Sequence, residues 1–139
     1  MRTYRSRFFV PWGDCDAAGI VFYPHMYVWF DRATEHLFRA NGITYDTMEE
    51  ILGTTGMPLL ETGASYLNQC KLGDEMEMET WVDEWAARTF LVRHVVSHAG
   101  GQKAVEGYER RALLAPAPER PKGVRAIEIP QDLIDRFVD

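Results

Sequence analysis

The chain has 139 residues, enough for one domain with a substantial core and too few for two. Its composition, 46% hydrophobic and 26% charged, is that of an ordinary globular protein, and a formal charge of -6 without a basic stripe argues against a general nucleic-acid binder. Cys15 and Cys70 are too few for a disulfide framework or a zinc site; no apolar run approaches a bilayer span, and Met1-Arg2-Thr3-Tyr4-Arg5 opens no leader pattern, so the expectation is a cytoplasmic protein.

Phe8, Phe9 and Val10, ahead of Pro11, read as a first short strand. A glycine-bounded loop follows, and from Pro24 to about Asn41 the helical period takes over, with Met26, Trp29, Phe30, Ala33, Leu37 and Phe38 on one broad apolar face. Pro24 suits the first helical position, where its missing N–H has no intrahelical partner to lose. Glu35 and Arg39 form an i,i+4 pair on the other face, and Asn41-Gly42 supplies a stop. Residues 43–56 hold a short helical turn.

After Gly56 the period changes to two. Residues 57–71 read as a long, imperfect strand ended by Leu72-Gly73-Asp74. Glu75 to Trp85 alternates cleanly, with Met76, Met78 and Val82 on one side and Glu75, Glu77, Glu79 and Asp83 on the other. Trp81 and Trp85 then fall on the acidic face, which predicts a covered surface such as a subunit interface. Residues 88–98 form a third long strand, Gly100-Gly101 signals a hairpin, and residues 103–115 return as a fourth. Three prolines in Pro116-Ala117-Pro118-Glu119-Arg120-Pro121 make a loop. Residues 124–129 pair briefly, and Pro130 opens a last amphipathic helix through Ile134 and Phe137. One helix against a meander of antiparallel strands is an α+β domain spanning residues 1–139.

Gly13-Asp14-Cys15-Asp16-Ala17-Ala18-Gly19-Ile20-Val21-Phe22-Tyr23-Pro24-His25 carries the chemistry. It places two carboxylates in a loop that opens directly into a helix, whose N-terminal amides and positive dipole end favour a developing negative charge. A carboxylate beside such donors is what acyl transfer uses: a base or nucleophile on one side and an oxyanion site on the other. Asp16 is equally compatible with an Asx turn or a cap. Asp14 reads as the loop's structural acid, because two adjacent ionised carboxylates would raise one another's pKa. Cys15 is disfavoured as a nucleophile by its acidic neighbours, and Asp14, Asp16 and His25 do not make a supported metal set. Asp31 reads as an exposed or ion-paired residue, and His94 and His98 as hydrogen-bonded sheet residues.

Residues 13–21 match Gly-Asp-Cys-Asp-x-Ala-Gly-Ile-Val, and on that run the chain resembles the 4-hydroxybenzoyl-CoA thioesterase family of hotdog-fold acyl-CoA hydrolases. The resemblance continues through Glu84-Trp85-Ala86-Ala87-Arg88-Thr89-Phe90 and Arg125-Ala126-Ile127-Glu128-Ile129-Pro130, and so covers most of the chain. It implies the hotdog fold, with a long central helix wrapped by an antiparallel sheet, and it places the catalytic carboxylate on Asp16. It also implies that the Tyr23 backbone N–H polarises the thioester carbonyl. Arg88, Thr89 and Arg125, with Arg120 and Lys122 nearby, become the contacts to the CoA phosphates, although the basic cluster around Arg88 is thinner than the family's. Asp31 becomes a reader of an acyl hydroxyl, whereas His25 inherits no role by position and reads as a solvent-facing or pocket-rim residue, with contact to substrate as the alternative. The helix face rich in methionine and aromatics is expected to floor the acyl pocket. No metal or redox cofactor is implied, since coenzyme A belongs to the substrate. The expected assembly is a homodimer or homotetramer with active sites between subunits. Hydrolysis of acyl groups on an acyl-carrier protein, or acyl-thioester binding without turnover, stand as alternatives.

Overall fold

The computed structural model describes residues 2–138. Five antiparallel strands, β1 (Thr3–Phe9), β2 (Leu59–Tyr66), β3 (Glu75–Trp85), β4 (Thr89–His98) and β5 (Lys103–Ala112), form one sheet in the order β1-β3-β4-β5-β2. The helix α1 (Pro24–Ala40) lies against one face of that sheet. A small ribbon of β6 (Leu114–Pro116) and β7 (Val124–Ala126), with the short helices α2 (Met48–Leu52) and α3 (Gln131–Arg136), closes the far end. This is the α+β architecture read from the alternation of periods.

The α1 side chains at helical spacing are the buried ones: Met26, Trp29, Phe30, Ala33, Leu37 and Phe38, together with Thr34. Its first half packs with Val10, Met76, Met78, Val96 and Val105, and its second half with Val82, Phe90, Leu113, Leu133 and Phe137. That apolar face is therefore mostly core, although Trp29, Ala33 and Phe38 also line surface cavities. Periodicity identifies a covered face without saying what covers it, and here the sheet does.

Close packing is tightest where Phe30 crosses β5. A Cβ at Gly107 would run into the Phe30 ring, so glycine lets helix and strand approach. Phe30 lies flat against His94, with ring centroids 4.6 Å apart and planes 8° apart.

Four expectations change. The first strand begins at Thr3, because residues 3–9 pair along β3 from Thr3↔Trp81 to Phe9↔Glu75. The expected strand over residues 57–71 contracts to Leu59–Tyr66, after which the chain turns to strap the loop that precedes α1. The expected strand over 103–115 divides, since Leu114–Pro116 leaves the sheet to pair with Val124–Ala126. Trp85 is not on the outer face: the β3–β4 register shifts between Val82 and Glu84, and that bulge turns Trp85 inward against Phe90 and Phe137, with centroids 5.4 and 5.5 Å away. Trp81, before the bulge, keeps its outward position beside Asp83.

Candidate active site

The loop between β1 and α1 is held by its own backbone. Cys15 bridges Val21, the Asp16 N–H donates to the Ile20 carbonyl at 2.9 Å, and the Gly19 N–H closes a turn on the Asp16 carbonyl at 3.0 Å. Gly19 takes φ 75°, a left-handed conformation that glycine adopts without strain. Outside the turn, the Leu72 N–H donates to Gly19 at 2.8 Å and the Val21 N–H to Cys70 at 2.9 Å, so residues 70–72 strap the loop to the sheet. The position of Asp16 is thus fixed by hydrogen bonds rather than by side-chain packing.

The two loop carboxylates have different surroundings. Asp14 is mostly buried; it accepts Trp29 Nε1–H at 2.7 Å, and His25 Nδ1 lies 3.2 Å from its other oxygen. Its own carbonyl receives the Phe22 N–H at 2.9 Å, which ties it to the approach to α1. Both Asp14 oxygens are thus engaged, by Trp29 and by His25. Asp16 is exposed, and its Oδ1 accepts the Ala18 N–H at 2.8 Å in an Asx turn. Its Oδ2 has no partner among the described residues. The Cys15 thiol is pushed up by burial and then by the Asp14 and Asp16 carboxylates, which keeps it protonated.

Pro24 occupies the first turn of α1 and Tyr23 is its N-cap. Downstream, the His25 N–H goes to the Phe22 carbonyl and the Met26 N–H to Tyr23, whereas the Tyr23 N–H meets no acceptor among the described residues. A free donor therefore stands at the positive end of a 17-residue helix, on the same loop as Asp16. Three tyrosines gather beside this end: the Tyr66 phenol is pushed up to about 12 by burial and by neighbouring Tyr27 and Tyr23.

Asp31 is 69% exposed, and its Oδ1 lies 2.8 Å from Arg111 on β5. Behind it runs a buried polar ladder that the reading of the sequence missed. Arg111 also donates to Glu109 at 2.7 Å, Glu109 accepts the Thr34 hydroxyl and His94 Nε2 at 3.0 Å, and His94 Nδ1 is 2.8 Å from Thr80 Oγ1. Burial alone would raise the Glu109 pKa, but the His94 hydrogen bond, the Arg111 guanidinium and the Thr34 hydroxyl outweigh it and bring the group down to about 2. Burial drives the His94 pKa down, so its ring is neutral at neutral pH. An ionised Glu109 only accepts, so Nε2 carries the His94 proton and Nδ1 accepts from Thr80. The signal was present in the pattern: Glu109 and Arg111 fall on the inward period of β5 with Val105 and Gly107.

Arg88, Thr89 and Arg125 form a separate group. The Ile129 N–H donates to the Ala87 carbonyl at 2.9 Å, bringing the 125–130 segment beside the β3–β4 turn that carries exposed Arg88. Thr89 Oγ1 faces Arg110 at 3.4 Å. This group sits at the Trp85 end of β3, whereas the Asp16 loop is tied to Asp74 at the other end through Val10. Eleven residues of β3 at about 3.3 Å each put roughly 35 Å between the two ends. Among the described residues no group of three or more His, Cys, Asp or Glu side chains is arranged to hold a metal, and no helix is long and apolar enough to cross a membrane.

Residues 10–137 match the model of the thioesterase-like superfamily. The chain belongs to that superfamily. A curated 4-hydroxybenzoyl-CoA thioesterase from Pseudomonas sp. (strain CBS-3) is 34% identical over 132 residues, 91% of each chain. A crystal structure of a 4-hydroxybenzoyl-CoA thioesterase variant, with one aspartate changed to asparagine and complexed with 4-hydroxybenzoyl-CoA, superposes with a TM-score of 0.87 at 31% identity, covering 99% of this chain and all of that one. A gentisyl-coenzyme A thioesterase superposes with a TM-score of 0.79 at 25% identity, covering 94% of this chain and 99% of that one. The fold is the hotdog, and this member of the superfamily is a thioester hydrolase.

Proposed function

We propose that the protein hydrolyses an aromatic, hydroxybenzoyl-like acyl-CoA to the free acid and coenzyme A, with Asp16 as the catalytic carboxylate and the Tyr23 N–H as the oxyanion donor. The observation that carries this reading is the division of labour in the loop. Asp14 is committed to Trp29 and His25, whereas Asp16 stays exposed with one oxygen uncommitted, on the same strapped loop as a free helix-end N–H. Asp16 either attacks the thioester carbonyl or takes a proton from the attacking water. In both routes negative charge develops on the carbonyl oxygen, and the Tyr23 N–H and the α1 dipole stabilise it. Collapse of the tetrahedral centre expels the CoA thiolate, which leaves the free acid in the water route and, in the nucleophile route, a mixed anhydride on Asp16 that a water then hydrolyses to the acid.

The helix also supports the choice of acyl group. From Tyr23 to Asp31 the rise along α1 is about 12 Å. The aspartate side chain leans toward the helix start, and a hydrogen bond of about 2.9 Å is needed at each end, leaving roughly one aromatic ring between an oxyanion at Tyr23 and a hydroxyl at Asp31. Asp31 Oδ2 is without a partner among the described residues, so it can accept that hydroxyl. The similar 4-hydroxybenzoyl-CoA thioesterase of Pseudomonas accords with this class of substrate.

The phosphates of CoA are assigned to Arg88, Thr89 and Arg125, with His25 at the pocket rim. Because that arginine group and the Asp16 loop lie at opposite ends of one sheet, one substrate touches both only if two copies of the chain share the site. The outer edge of β2 is unpaired, and Leu59 and Leu60 there are 46% and 56% exposed, a surface suited to continuing the sheet into a second copy. The test is release of free thiol from benzoyl-, hydroxybenzoyl-, phenylacetyl- and short aliphatic CoA esters. Highest kcat/KM is expected with a hydroxybenzoyl ester. Turnover confined to carrier-protein thioesters, or to none, would overturn the reading.

A further inference from the structure

Charged side chains are seldom placed between a sheet and the helix that covers it, yet Glu109 and Arg111 are 2% and 9% exposed at alternate positions of β5. Replacing such a buried ion pair with apolar residues is often neutral or stabilising, so stability alone is a weak reason for it. Arg111 Nε is also buried without a hydrogen-bond partner among the described residues, which calls for an explanation. The arrangement has a direction. It starts at Thr80, passes through His94, Glu109 and Arg111, and ends on Asp31, the one member that reaches solvent.

We propose that Arg111 is a positioning and specificity-determining residue for the acyl half of the substrate: fixed from behind by the buried Glu109–His94–Thr80 chain, its guanidinium holds the Asp31 carboxylate in place to accept an acyl hydroxyl. This rests on the reading of Asp31 given above. An exposed ion pair is ordinarily loose, because both long side chains must be ordered in water. Here only Asp31 is free to move. Arg111 is clamped by Glu109 at 2.7 Å and by its bond to the Met57 carbonyl at 2.9 Å, and Glu109 in turn is fixed by Thr34 and by a His94 ring stacked on Phe30. Asp31 and Arg111 also share the wall of a cavity of about 270 Å³ with the polar Thr34, Glu35 and Tyr45 and with apolar side chains that include Phe38 and Met57. A carboxylate held in one place rewards a hydroxylated ring over an unsubstituted one, since a hydrogen bond to a charged acceptor is the stronger kind.

The experiment compares kcat/KM for hydroxybenzoyl-CoA with that for benzoyl-CoA in the wild type, Asp31→Asn, Arg111→Lys, the pair Asp31→Asn with Arg111→Lys, and the pair Glu109→Gln with Arg111→Met. The last variant removes both buried charges together, so no carboxylate is left stranded in the core. Arg111→Lys and the Glu109→Gln with Arg111→Met pair are expected to lower the preference for the hydroxylated ester about ten-fold. Adding Arg111→Lys to Asp31→Asn is expected to lower it no further, the non-additivity that a shared function requires. Parallel loss on both esters, an unchanged preference, or failure of both Arg111 variants to fold would assign the ladder to stability and overturn the proposal. If Asp31→Asn alone leaves the preference intact, the reading of Asp31 fails first, and that single variant shows it.

Discussion

Acid should loosen the fold through Glu109 in a way that one substitution can isolate. Its pKa falls from the usual 4.5 to about 2 in the folded chain, so the folded state binds fewer protons than the unfolded one between those values. For a group with a depressed folded pKa, the stabilisation is complete above the unfolded value and is lost as pH falls toward the folded one. The window spans about two and a half pH units at about 1.4 kcal/mol each, or about 3–4 kcal/mol in all. From pH 4.5 to pH 3 about 2 kcal/mol of this should disappear. His94, whose pKa is also lowered by burial, adds a loss of the same sign that begins as pH drops below its ordinary 6.5. The assay is urea unfolding at fixed protomer concentration, at pH 7, 4.5 and 3, for the wild type and Glu109→Gln. The variant should be less stable at pH 7, and its further loss between pH 4.5 and 3 should be smaller than the wild type's by about 2 kcal/mol. Identical losses in the two proteins over that interval would refute the argument.

Gly107→Ala should destabilise by about 1–3 kcal/mol, because the new methyl group meets the Phe30 ring; an unchanged urea midpoint would show that Phe30 can move aside. Arg125→Ala should raise KM several-fold with little change in kcat, and the difference from wild type should shrink with added salt; an unchanged KM in both this variant and Arg88→Ala would remove the arginines from the CoA site. Sedimentation at micromolar concentration should show a dimer or tetramer, and a lone 16.0 kDa species would contradict the shared site.

Much of this was legible in the chain because the periods were clean. β3 was bounded correctly at Glu75 and Trp85 by strict alternation, and α1 by its apolar stripe, Pro24 and Asn41-Gly42. Trp85 was misplaced because a single bulge between Val82 and Glu84 shifts everything after it to the other face, and no residue type announces it. Hydrophobic spacing is the same for core and cavity, so the α1 stripe alone does not tell which of its side chains meet the sheet and which line a pocket. Like-charge repulsion suggested that Asp14 holds the loop, and Trp29 and His25 are the partners that sequence could not name; the role of Asp16 came from the family resemblance alone. The ladder from Thr80 to Asp31 was overlooked because charges in a strand suggest a wet face, until register places Glu109 and Arg111 inward.

The most direct test of the account is kcat for Asp16→Asn on the best CoA ester, with Asp14→Asn and the melting temperatures of both as comparators. Asparagine keeps the size of the Asp16 carboxylate and can still accept from the Ala18 N–H, but it is neither a useful base nor a nucleophile at neutral pH. The account predicts a fall in kcat of about a hundred- to ten-thousand-fold with the fold intact, and residual hydrolysis from the backbone donor. Asp14→Asn should lower the melting temperature more than Asp16→Asn does, through its weakened bonds to Trp29 and His25. Near wild-type turnover in Asp16→Asn would contradict the assignment of the reaction to this carboxylate.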